Sequence, residues 1–74
     1  MTMRIEIPAL DTRGDWWDDY ISSVEGESGL RWIGDDSQYG VFADFIGNHY
    51  RAYVNPALSS EEQWVVEFDP VEVA

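Results

Sequence analysis

The sequence contains no cysteine and no lysine. Without cysteine there is neither a disulfide framework nor a thiolate zinc site, so a packed core must hold the chain. Four arginines face fifteen Asp and Glu, and the formal net charge is −11. So few cations exclude a conventional nucleic-acid binder, which needs Lys and Arg to neutralise phosphates. The same balance disfavours docking on anionic lipid. No stretch approaches the roughly 20 apolar residues of a membrane span. Met1 to Leu10 is interrupted by Arg4 and Glu6 and lacks the apolar run of a signal peptide, so a cytoplasmic protein is expected. A single histidine, with no Cys or Lys to serve as an activated nucleophile, leaves little catalytic equipment; neither enzymatic activity nor a cofactor is expected.

What the chain does have is aromatic and acidic. Hydrophobic residues make up 45% and aromatic residues 15%, too much apolar material for a disordered chain. Its 74 residues allow one domain, 1–74, whose small core must be filled by four Trp, four Tyr and three Phe. The acids are unevenly spread. Residues 11–36 hold eight acids against Arg13 and Arg31, and residues 61–72 add five acids and no base, whereas 1–10 and 37–60 are each neutral overall. No internal repeat, low-complexity segment or linker separates these blocks.

Periodicity gives an order β-α-β-β-β-β. Met3 to Ile7 alternates as a first strand ended by Pro8. Thr12 to Asp15 has capping-box spacing ahead of a helix from about Asp15 to Val24, with Gly26 and Gly29 at its end. At about 100° per residue, Trp16, Trp17, Tyr20, Ile21 and Val24 share one arc, and Asp15, Asp18, Asp19 and Glu25 lie opposite. Leu30 to Ile33 reads as a short strand closed by a turn over Gly34, Asp35, Asp36 and Ser37. Tyr39 to Ile46 and His49 to Val54 flank Gly47-Asn48, a two-residue hairpin signal. That turn would set Asp44 opposite Arg51, Phe45 opposite Tyr50 and Phe42 opposite Tyr53. Val41, Ala43, Phe45, Tyr50, Ala52 and Val54 would then face the core, leaving Phe42 and Tyr53 on the far face, packed there or offered to a partner. Asn55-Pro56 breaks the chain, Ser59 to Glu62 turns it, and Gln63 to Asp69 forms the last strand with Trp64, Val66 and Phe68 inward. The expected fold is α+β: an antiparallel sheet of four to five strands with one helix packed on one face.

Several chemistries can be tested against the residues. Asp35 to Ile46 places Asp and Gly at the first and sixth positions of a calcium loop, but Tyr39 and Ile46 occupy positions that need ligands, so no metal site is expected. The acidic pairs Asp18-Asp19 and Asp35-Asp36 suit a solvated surface better than a cation, since adjacent helical residues diverge. His49 could act as a general base with Asp44, yet its place beside a turn suits an exposed hairpin residue. Paired carboxylates for glycoside chemistry need a cleft that so small a domain hardly offers. Arg13-Gly14-Asp15 matches a tripeptide read by some integrins, but it overlaps the start of the helix.

The charge itself is the stronger clue. A globule of this length has a radius of gyration of about 11 Å and a diameter of roughly 29 Å. Fifteen carboxylates over that diameter come to about one per 2 Å, against one charge per about 1.7 Å of duplex DNA. Carboxylates fixed on a fold replace phosphates at low ordering cost and are steered toward basic grooves. The size, the absence of Cys, the Trp/Tyr-rich core and the two acidic blocks, Asp11 to Asp36 and Glu61 to Glu72, resemble the small phage-encoded inhibitors that mimic DNA. Among these, anti-CRISPR proteins are the best match in size. The resemblance implies a non-catalytic inhibitor that occupies a basic DNA- or PAM-binding surface of a Cas effector complex, acting in the host cytoplasm. Partner contact is then expected from Asp15, Asp18, Asp19, Glu25, Asp35, Asp36, Glu61, Glu62, Glu67 and Asp69, on a monomer or small homo-oligomer. An acidic halophile-type surface, a generic protein-interaction module, or an antitoxin-like partner of a basic protein fits the same composition.

Overall fold

A computed structural model describes residues 3–36 and 39–72. Its elements are β1 (Met3–Pro8), α1 (Trp16–Ser28), β2 (Arg31–Asp36), β3 (Tyr39–Ala43), β4 (His49–Val54) and β5 (Gln63–Val71). The strands form one five-stranded antiparallel sheet in the order β1-β5-β4-β3-β2. Sequence-adjacent hairpins build β2 to β5, and β5 then receives β1 on its other side. The α+β architecture expected from the sequence is therefore present, with α1 covering one face of the sheet.

The core forms where the alternation of the strands meets the apolar arc of the helix. Ile7, Phe42, Val66 and Phe68 are fully enclosed, and Ala52 nearly so, against Tyr20, Ile21 and Val24 of α1. Trp64 extends this layer; its ring meets Trp16 edge-on at 5.9 Å. Phe42 and Phe68 make a second edge-to-face pair at 6.0 Å, a geometry that favours aromatic packing beyond area burial.

Three local expectations around the helix and β2 are corrected. Thr12 does not cap the helix: Asp11 captures the Arg13 backbone N–H at 3.0 Å, Asp15 becomes the N-cap without a side-chain bond, and α1 starts at Trp16. The helix also runs past Gly26 to Ser28. Of the two glycines expected at its end, Gly29 takes the left-handed turn (φ 74°), and its N–H donates to the Glu25 carbonyl at 2.9 Å. Gly34, Asp35 and Asp36, expected in a turn, continue β2 past a bulge at Ile33, where Gly34 takes φ 149°; Ser37 lies outside the described residues.

The largest correction concerns the hairpin. β3 ends at Ala43, and Phe42 pairs with Tyr50, Val41 with Arg51 and Gly40 with Ala52, a shift of three residues from the two-residue-turn register. Asp44 is the cause. Its carboxylate accepts from the backbone N–H groups of Ile46 (3.1 Å) and Asn48 (2.9 Å), from Asn48 Nδ2 (3.0 Å) and from the Tyr50 hydroxyl (3.2 Å). Those bonds organise a loop over residues 44–48 in place of a tight turn. The odd shift turns β3 over, so Phe42 enters the core while Val41 and Ala43 share the face of Arg51 and Tyr53. Phe45 is left 99% exposed.

On the sheet face away from α1, the loop over residues 55–62 is tied to β5. The Asn55 N–H donates to the Val65 carbonyl, and the Val65 N–H donates to Ser59 Oγ at 2.9 Å. Val65, expected outward, is accordingly buried. β5 also runs two residues beyond Asp69, to Val71.

Candidate functional site: an acidic sheet end around an aromatic pocket

Strand direction decides which acids meet. The pairing makes β1, β2 and β4 run one way and β3 and β5 the other, so Pro8, Asp36, Tyr39, Val54 and Gln63 share one end of the sheet. The helix starts there too, because Trp16 packs on Trp64 beside Ile7 and Trp17 lies near Tyr39 and Val54. Seven of the ten candidate residues consequently collect at this end: Asp15, Asp18 and Asp19 at the start of α1, Asp35 and Asp36 at the end of β2, and Glu61 and Glu62 before β5. All seven are exposed. Two stretches far apart in sequence are thus joined through β5 lying inside the sheet.

The other three are elsewhere. Glu67 and Asp69 lie on the face away from α1, where Glu67 accepts from Asn55 Nδ2 and pairs with Arg4 at 3.5 Å. Its side chain is only 12% exposed, so it serves the fold more than a partner. Glu25, near the far end of α1, accepts from the Trp32 backbone N–H at 3.0 Å and shields the open edge of β2. Within the acidic end, Asp36 is engaged by Arg51 at 2.7 Å and Asp35 accepts from the Trp32 indole at 3.1 Å. Asp15, Asp18, Asp19, Glu61 and Glu62 make no side-chain hydrogen bond or ion pair among the described residues.

At the same end, the Trp16, Trp17 and Tyr20 rings of α1 line a cavity of about 200 Å³ that also touches Tyr39 of β3 and Tyr53 of β4, whose side chains the register turns to the sheet face away from α1. Ala52 and Val54 complete the wall. Trp17 and Tyr20 stack with centroids 5.1 Å apart, and Trp16 meets Trp17 edge-on at 5.2 Å. On that far face the Arg51 guanidinium lies 5.9 Å from the Tyr39 ring centre. Desolvation pushes the Tyr20 hydroxyl up to about 12. Tyr53 is also raised, first by desolvation and then by the negative fields of Asp69 and Glu67, partly opposed by Arg4. Its partner across the β4–β5 ladder is Glu67 itself.

Residues of the other motifs tested on the sequence take up positions in the sheet and its loops. Of the segment tested as a calcium loop, Asp35 and Asp36 end β2, Tyr39–Ala43 is β3, and Asp44 to Ile46 open the following loop. His49 pairs with Ala43 and Val71, and the carboxylate it might have used, Asp44, is occupied by the loop. Desolvation works against ionised Asp44, but its hydrogen bonds from Asn48, Ile46 and Tyr50 together outweigh that and hold the carboxyl below the usual range. Arg13 forks onto Asp11 at 2.9 and 3.0 Å, away from Asp15 of the tripeptide. An open groove of about 830 Å³ beside β1 carries Glu6, Glu27 and Glu62 with Arg4. Among the described residues, no group of three or more His, Asp or Glu is disposed to hold a metal ion, and no helix is long and apolar enough to cross a membrane.

The cavity was missed in the sequence because it forms between α1 and strands whose register was misjudged; the one available signal was the number of aromatic residues flanking acidic ones. Compared with protein-family models, with curated proteins and with solved structures, the chain matches none.

Proposed function

We propose that the protein is a non-catalytic inhibitor that presents a rigid array of carboxylates to a basic, DNA-binding protein surface, and that this surface is the DNA- or PAM-reading channel of a Cas effector complex. The observation that carries the reading is the gathering of seven exposed acids at one end of the sheet. Five strands at about 4.8 Å spacing make that end roughly 19 Å wide. With Asp36 neutralised by Arg51, six carboxylates projected on that width average about 3.2 Å apart, close to the ~3.4 Å charge spacing of one DNA strand. Over the whole molecule, fifteen carboxylates along the 36 Å long axis average about 2.4 Å, between the duplex and single-strand values. Fixed on helix and strand ends, they bind without the ordering cost of a flexible acidic tail.

The test is competition. Purified guide-loaded Cas effector complexes are titrated with the protein while target-DNA binding is followed by fluorescence anisotropy at several salt concentrations. At least one complex should lose DNA, with an inhibition constant that weakens steeply as salt rises. Replacing Asp15, Asp18 and Asp19 together by Asn should weaken inhibition and flatten its salt dependence. If no complex releases DNA, or if the triple variant inhibits as well as the parent, the proposal fails. A halophile-type acidic surface is separated by one measurement: the inhibitor reading requires a chain that stays folded in low salt.

A second reading, a generic protein-interaction module, draws support from the loop between β3 and β4. Phe45 and Ile46 stand 99% and 71% exposed there, an apolar tip of the sort found at protein contacts.

A further inference from the structure

We propose that the outer edge of β1 is a self-recognition surface, on which a second copy of this chain adds its own β1 antiparallel and joins the two five-stranded sheets into one. The proposal is independent of the inhibitor reading. β1 and β2 are the two edges of the sheet, and they differ. β2 carries a bulge at Ile33, and its Trp32 N–H is taken by the Glu25 carboxylate at 3.0 Å, two devices that protect an edge from pairing. β1 has neither: Met3 to Pro8 hold one unbroken register against β5. Among the described residues, no hydrogen bond reaches the Arg4 or Glu6 backbone from outside that ladder.

Backbone parity decides which groups the edge offers. Alternate residues of an antiparallel edge strand bond inward and the others face outward. The Ala9 N–H donates to the Glu62 carbonyl at 3.1 Å, one step beyond the Pro8–Gln63 pair. Met3, Ile5, Ile7 and Ala9 therefore bond toward β5. Arg4 and Glu6 turn their N–H and C=O outward, and Pro8, which has no N–H to offer, closes the row. Under a two-fold axis at Ile5, Arg4 of each copy stands opposite Glu6 of the other, and each such pair exchanges both backbone hydrogen bonds. The side chains fit the same axis. Arg4 and Glu6 are exposed on the sheet face away from α1, so each guanidinium meets a carboxylate, whereas parallel addition in register would oppose like charges. Half-buried Ile5 meets its own copy on the α1 face. Arg4 is 56% exposed and lies 3.5 Å from Glu67, and its five N–H donors can serve a second carboxylate. Glu6 receives Gln63 Nε2 on one oxygen at 3.2 Å and keeps the other. The open groove of about 830 Å³ gives the incoming strand room, and its acids Glu6, Glu27 and Glu62 face only one cation, Arg4, until a second Arg4 arrives. Antiparallel addition also points the two acidic sheet ends in opposite directions, which limits the repulsion between copies.

The test is sedimentation velocity from micromolar to millimolar protein, in about 0.15 M salt, where a Debye length of ~8 Å screens the net charge of the two chains. The 8.5 kDa monomer should give way to a dimer as concentration rises. Amide hydrogen exchange then locates the contact. The Arg4 and Glu6 amides should exchange about tenfold more slowly in dimer-rich than in dilute solution, with the β2 edge unchanged. Charge exchange tests the register. Arg4→Glu and Glu6→Arg each set like charges across the axis and should stay monomeric alone, while an equimolar mixture restores opposite charges at both positions and should dimerise. A parent that stays monomeric throughout, a dimer whose Arg4 and Glu6 amides are no slower, or single variants that dimerise as well as the parent would each overturn the proposal. Tryptophan fluorescence reports whether each variant is folded; should either fail to fold, sedimentation and exchange of the parent decide alone.

Discussion

Phe42 and Phe45 decide between two registers of the same hairpin, and a pair of substitutions measures the difference. In the two-residue-turn register Phe45 would face the core and Phe42 the far side. In the observed register Phe42 is fully buried against Phe68 and lies within van der Waals range of Gly40, whereas Phe45 is 99% exposed. Phe42→Ala removes an enclosed ring whose neighbours on three elements cannot all collapse into the space. Such truncations cost about 3–5 kcal/mol. At ~0.05–0.15 kcal/mol per residue, 74 residues give a total stability of roughly 4–11 kcal/mol, so this one change removes a large part of it. Phe45→Ala changes a side chain that touches almost nothing and should stay within about 0.5 kcal/mol of the parent.

Urea unfolding followed by tryptophan fluorescence reads both. The Phe42 variant should lose its midpoint with little change in slope, and the Phe45 variant should overlay the parent. In thermal scans, about 4–8 °C per kcal/mol separates them by more than ~10 °C. Should Phe42→Ala prove too unstable to purify, Phe42→Leu keeps part of the volume and the ordering is still measurable. A Phe45 variant less stable than the Phe42 variant would refute the register and the face assignment of β3 together.

Three further outcomes follow from the same packing. Gly40→Ala would set a Cβ 3.0 Å from the Phe42 ring and 3.4 Å from Ile21, both held in the core, and should destabilise by about 1–3 kcal/mol in urea. The Tyr20 phenol keeps its proton to about 12 in the folded chain but releases it near 10 when unfolded. Its contribution is therefore fully present below pH 10 and is lost as pH rises to 12, on the order of 2 kcal/mol relative to Tyr20→Phe in alkaline denaturation. Asp44→Ala should speed hydrogen exchange at the Ile46 and Asn48 amides, and in the parent that protection should be lost as pH falls through the depressed pKa of Asp44.

What was legible in the sequence was whatever repeats locally. The helix arc of Trp16, Trp17, Tyr20, Ile21 and Val24, and the alternation of Trp64, Val66 and Phe68, each depend on one element's own period. β4 was bounded correctly for the same reason. The hairpin was not, because Gly47-Asn48 offers a tight turn while the Asp44 carboxylate, three residues upstream, organises a longer loop with four hydrogen bonds. Gly26 looked like a helix end because its cost inside a helix, about 1 kcal/mol, is small enough for packing to override. The candidate acids were legible as residues but not as a group. Whether Asp36 is paired depends on Arg51, fifteen positions away in sequence, and whether Glu61 meets the same end as Asp18 depends on β5 entering the sheet between β1 and β4.

That dependence bears on why the charge is arranged as it is. Concentrating like charges at one end raises their mutual repulsion, and a coat serving solubility alone gains nothing from it. The fold places them where they are cheapest to hold. Asp18 and Asp19 sit in the first helical turn, where the helix dipole favours each by about 0.3–1 kcal/mol. Glu61 and Glu62 lie in an exposed loop rather than in the sheet interior, and all the acids at this end keep their contact with water. Meanwhile Arg4 and Arg51 are spent on Glu67 and Asp36, on the sheet face away from α1. The arginines thus quench acids on that face and leave the helix start and the Glu61-Glu62 loop unquenched, at the end of the sheet where Trp16 meets Trp64.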